Sequence, residues 1–145
     1  MTWVLASAMA MEFRVGVGMP DLAHVKVGVP VSGRWSVHAQ VGSNLGLITY
    51  FGASLGGRWD AAVRERGPRR LVLGVGPDVW GGPTNEVVAV IVNASVELAW
   101  SYDLGPAYLI VASRIGLGPT IEVPFDRFRL EPAGLIAPLQ IGVGF

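Results

Sequence analysis

The chain has no cysteine. That excludes a disulfide scaffold and thiolate chemistry and leaves the compartment open. Charge is scarce: Asp, Glu, Lys and Arg are 15% of the residues, against roughly 25% in an average soluble domain. Neither sign dominates, since Lys plus Arg and Asp plus Glu each number 11. A nucleic-acid partner would call for a basic surplus. Long apolar runs are missing as well, and no window holds the ~18–20 apolar residues a membrane-crossing helix needs. No His, Asp and Glu cluster has metal-site spacing, so neither a metal nor another cofactor is expected. Helical periodicity is nearly absent. The one candidate helix, Asp60 to Arg66, is short and isolated.

What the chain does have is apolar content in short pieces. Hydrophobic residues are 51% of its 145, with 20 Gly and 10 Pro. This composition suits short strands and tight turns. High hydropathy without a spanning helix leaves a very apolar soluble β fold or a membrane barrel. A closed barrel is the other structure that satisfies every backbone group in lipid. Length implies one domain, placed at residues 11–145. Residues 1–10 have two readings. Ala8-Met9-Ala10 is an A-x-A cleavage pattern behind an apolar stretch, as in a signal-peptide remnant. The alternation of Met9, Met11, Phe13, Val15 and Val17 also fits the start of strand one.

Period-two patterning predicts an all-β chain of eight strands. They run from about Met11 to Gly18, Ala23 to Val31, Arg34 to Val41, Ile48 to Trp59, Leu71 to Gly76, Glu86 to Ser101, Ala107 to Leu117 and Leu135 to Phe145. Ser32-Gly33 reads as a tight hairpin and Asp60 to Arg70 as a longer basic connection. Pro77 to Asn85 and Gly118 to Glu131 read as loops, and as the contact surface of the molecule.

Side chains alternate faces along a strand. One face is apolar throughout. The strand charges Glu12, Arg14, Lys26, Arg34, Arg58, Glu97 and Arg114 all fall on the other. A soluble barrel would show the same alternation with its apolar face inside. Three features favour the opposite arrangement. The polar face is rich in glycine, among them Gly16, Gly56, Gly74, Gly142 and Gly144, which suits a narrow, crowded lumen. With alternating strand directions, Trp35, Trp59, Trp100 and Phe145 gather on the apolar face at one end, as in an aromatic girdle. Strands of roughly 8 to 12 residues match the ~9–11 that cross a bilayer when tilted.

The terminal LIAPLQIGVGF, with Leu139, Ile141, Val143 and Phe145 in alternation, resembles the last strand of small eight-stranded outer-membrane β-barrels of Gram-negative bacteria. This is the class of the OmpA transmembrane domain and OmpX. The resemblance is one of pattern and covers nearly the whole chain. Gln140 stands where that class usually has glycine. The resemblance implies an eight-stranded antiparallel up-and-down transmembrane barrel in the cell outer membrane, monomeric, with outer-membrane lipid as its surroundings. The barrel-assembly machinery would read its last strand. It also implies a structural, adhesion or interaction role rather than catalysis. The alternatives are a soluble lipocalin-like carrier of an apolar ligand, or a narrow pore.

The lumen charges read either as a plug of ion pairs or as a pore with mild anion preference, from the basic surplus among those seven residues. His24, His38 and Ser36 lie on polar faces of neighbouring strands. Ser36 and His38 are separated by about 7 Å along one strand, beyond direct contact for a nucleophile and base. No catalytic residue is assigned. Arg64, Arg66, Arg69 and Arg70 form a basic turn, read as solvated or touching lipid phosphates.

Overall fold

The computed structural model describes residues 11–19, 22–44, 50–83, 88–123 and 128–145. The signal-peptide reading of residues 1–10 lies outside them. Eight strands follow in order: β1 (Glu12–Met19), β2 (Ala23–Ser32), β3 (Trp35–Asn44), β4 (Tyr50–Arg66), β5 (Arg69–Pro83), β6 (Val88–Asp103), β7 (Tyr108–Val123) and β8 (Phe128–Gly144). Each pairs antiparallel with the next, and β8 returns to β1, so the sheet closes into an up-and-down barrel. Closure leaves no edge strand in the sheet, although residues 61–66 of β4 extend beyond β3.

Cross-strand partners run from Glu12 through Gly28, His38, Gly56 and Asp78 to Asn93. The circuit then returns through β7 and β8 near the far end of β1, where Met19 pairs with Ile136. A climb of about ten residues per turn goes with strands tilted ~35–45° from the barrel axis.

Several strands are longer than the sequence pattern predicts. Residues 60–66 continue β4; they are neither a helix nor a connection. Gly67-Pro68 alone makes the turn. Gly67 has φ 59°, a sign that proline cannot adopt and that suits the first central position of a two-residue hairpin. Gly33, at φ 54°, does the same in the β2–β3 hairpin. That turn therefore takes Gly33-Arg34 rather than Ser32-Gly33, and Arg34 leaves the strand alternation. Residues 77–83 belong to β5, residues 118–123 to β7 and residues 128–131 to β8, so most of the two expected loops is strand; their remaining residues, 84–85 and 124–127, lie outside the described residues.

The faces sort by polarity in the sense opposite to a soluble fold. Val15, Leu55 and Leu117 are 52%, 66% and 59% exposed, while Arg14, Lys26 and Glu97 are at most 3% exposed. Apolar side chains cover the outside and charged ones fill the inside. Two small apolar clusters lie within the lumen. Val72, Ala99, Ile110 and Ala112 pack with Tyr108 toward one end. Trp80, Ala89 and Ile91 pack toward the other.

Candidate functional site in the barrel interior

Most of the charged side chains occupy the lumen between those two apolar clusters, with Glu12 and Arg70 beside the first of them. Glu97 of β6 is the hub. It accepts hydrogen bonds from Arg14 Nη1 at 2.8 Å, Arg58 Nη1 at 2.6 Å and Lys26 Nζ at 2.5 Å. Glu12 accepts from Arg14 Nη2 at 2.6 Å and lies 3.6 Å from Arg58 Nη2. Asp60 takes Arg58 Nε at 3.0 Å, and Arg70 reaches its other oxygen at 3.6 Å. A second group centres on Asp78 of β5. His38 Nε2 lies 2.7 Å from one carboxylate oxygen. The other oxygen accepts from Ser95 Oγ at 2.5 Å and pairs with Arg114. Arg114 also donates to Ser95 Oγ at 3.2 Å.

Many of these contacts reach over an intervening strand, and the residue beneath is glycine. His38 on β3 meets Asp78 on β5 across Gly56, the register partner of both. His24 on β2 meets Gln140 on β8 at 2.9 Å across Gly16, again the partner of both. Arg58 on β4 meets Glu97 on β6 over Gly74. Tyr108 on β7 approaches Glu12 on β1 at 3.5 Å over Gly144. A Cβ at Gly16 would fall 2.6 Å from His24 Nε2 and 2.8 Å from Gln140 Cγ. At Gly56 it would collide with the Asp78 carboxylate and His38. The glycine-rich polar face is thus the floor over which polar side chains pair. Gly56→Val is expected to lower the unfolding free energy by about 1–3 kcal/mol through overpacking. Equilibrium denaturation would show it, and an unchanged midpoint would dismiss the bridge over Gly56.

Of the seven charges assigned to the lumen, the structure brings together Glu12, Arg14, Lys26, Arg58 and Glu97 in one network and Arg114 in the Asp78 group. Arg34 is a correction. It sits in the β2–β3 turn and is exposed. Two carboxylates escape the sequence reading, Asp60 and Asp78, both buried in the lumen. The expected end of β4 at Trp59 and the expected loop at Pro77 hid them. The signal was present: Arg58 and Asp60 share one parity, as do Gly74, Gly76, Asp78 and Trp80. With Arg34 outside and these two inside, Glu12, Asp60, Asp78 and Glu97 face Arg14, Lys26, Arg58 and Arg114, and the partly exposed Arg70 joins them at Asp60. Among these residues the basic surplus behind an anion-preferring pore falls from three to one.

No known family model, curated protein or solved structure matches the chain. The geometry alone therefore carries the functional argument. His38 bonds Asp78 and His24 bonds Gln140, and among the described residues neither histidine bonds Ser36. Among the described residues no group of His, Asp and Glu is arranged to hold a metal ion. A cavity of about 30 Å³ lies between Glu12, Arg58, Arg70 and Tyr108. It has room for a water or two, not for a solute. Buried cations and anions are tolerated when paired and hydrogen-bonded, and this lumen pairs them.

The aromatic residues expected to form a girdle lie outside. Trp35 and Trp59 are direct cross-strand partners, 52% and 39% exposed. Trp100 is exposed and sits 6.1 Å from the Tyr102 ring. Phe145 is exposed, and its N–H bonds the Met11 carbonyl, at the same end of the barrel. The strand tilt offsets their registers while keeping them near one level.

Proposed function

We propose that the chain is a transmembrane β-barrel of a bacterial outer membrane, of the OmpA/OmpX-like class. Its role is structural, adhesive or interaction-type, and its lumen is closed by ion pairs. The observation that carries this reading is the inversion of polarity: a continuous exposed apolar face, rimmed by Trp35, Trp59, Trp100 and Phe145, around a charged, buried interior. An apolar band with an aromatic girdle is what a lipid-facing barrel surface carries. Water would leave so large an apolar surface prone to association. A lipocalin-like carrier needs an apolar interior cavity, and the space here holds ion pairs. On this reading the surroundings are outer-membrane lipid, the assembly machinery handles the strands during insertion, and the folded unit is a monomer.

Refolding tests it. The chain is expected to fold only with detergent micelles or lipid vesicles, and to run at a different apparent mass on unheated than on heated denaturing gels. A folded monomer in detergent-free buffer would end the membrane reading.

A further inference from the structure

The β4–β5 hairpin continues past the aromatic girdle, and its outer face is basic. A register shift between Asp60 and Ala62 reverses the parity of β4. Before the shift, Arg58 and Asp60 face the lumen. After it, Ala62 pairs with Leu73, Arg64 with Leu71, and Arg66 with Arg69. Leu71 and Leu73 are exposed on the outer face. The bulge therefore sets Arg64, Arg66 and Arg69 on that face, beyond the Trp59 level. Exposed Arg34 lies alongside, its carbonyl accepting the Asp60 N–H at 2.9 Å.

This arrangement is electrostatically incomplete. Arg66 and Arg69 are direct cross-strand partners, and like charges so placed repel. The nearby carboxylates are engaged elsewhere. Glu65 faces Arg70 at 3.5 Å, Asp60 holds Arg58 and Arg70, and Asp103 accepts the Gly105 N–H at 2.7 Å. Among the described residues no carboxylate forms an ion pair with Arg34, Arg64, Arg66 or Arg69. Guanidinium groups match phosphate oxygens in a two-pronged geometry. A position just past an aromatic girdle is where lipid phosphates lie.

We propose that Arg64, Arg66 and Arg69, with Arg34, form a binding sector for the phosphate headgroups of anionic phospholipids in the leaflet at the girdle end. The sector covers one side of the barrel, so it gathers anionic lipid against β4 and β5. The proposal rests on the membrane reading above.

Trp35 and Trp59 lie next to the sector and serve as reporters. The barrel is refolded into phosphatidylcholine vesicles containing increasing fractions of phosphatidylglycerol, with one lipid or the other brominated. Fluorescence quenching then gives the relative affinity. Phosphatidylglycerol is expected to be preferred by about fivefold or more at low salt, and less at high salt. The triple variant R64Q/R66Q/R69Q is expected to bring the ratio near one while keeping the folded gel shift. R64K/R66K/R69K is expected to keep part of the preference and to retain its salt dependence. Equal quenching by both lipids in the native chain overturns the sector. So does a preference that survives the glutamine substitutions. Absence of quenching by either lipid overturns the membrane reading and this one with it.

Discussion

Glu97→Gln is expected to cost the folded barrel about 3–5 kcal/mol, the penalty of breaking a buried ion pair from one side. Glu97 is 3% exposed and is the meeting point of Arg14, Arg58 and Lys26. The three cations do not suffer equally. Arg14 retains Glu12, and Arg58 retains Glu12 and Asp60. Among the described residues Lys26 has an ion pair with Glu97 alone. A glutamine cannot neutralise it, and an apolar cluster lies at each end of the lumen to keep the local dielectric low. The double variant Lys26→Met with Glu97→Gln is therefore expected to recover part of the loss. A double-mutant cycle by urea unfolding in detergent measures the coupling. Strictly additive losses would show that Lys26 and Glu97 do not act as a pair.

Leu55→Arg is expected to cost about 2–4 kcal/mol in a phospholipid bilayer, the range for a basic side chain at the midplane of a barrel's lipid face. Leu55 is 66% exposed and is flanked in register by Ala39 and Val79, on the same outer face. At an exposed site in water the same exchange would change stability by roughly 0.5 kcal/mol or less. The two environments thus predict effects of different size at one residue. Unfolding titrations in vesicles read it directly. A near-zero effect at Leu55 would place that face in water.

The period-two alternation of apolar and polar residues is a property of the chain itself, and it was enough to number the strands and divide their faces. That Arg14, Lys26 and Glu97 share one face followed from parity alone. So did the placing of Trp35, Trp59 and Trp100 on the other. Strand ends were harder. Asp60 to Arg66 is composed like a helix, and Pro77 with its neighbouring glycines is composed like a loop. In the barrel both segments are held extended by strand pairing, residues 60–66 with β5 across their own hairpin and Pro77 with Ala94 of β6, and local propensity yields to that pairing. Gln140 shows the same dependence. As a departure from a family pattern it is only an oddity; in the barrel it is fully buried, bonds His24 and uses the space left by Gly16.

Alternation by itself left open which face meets the interior, because a barrel and its inside-out counterpart have the same period. Closure of β8 onto β1 decided it, by enclosing the glycine-floored face, where only small residues leave room for Arg14, Lys26 and Glu97 to meet. Which charges meet was likewise a tertiary matter. The contacts of Glu97 and Asp78 come from strands one or more places removed, and no spacing in the sequence encodes a partner across the lumen.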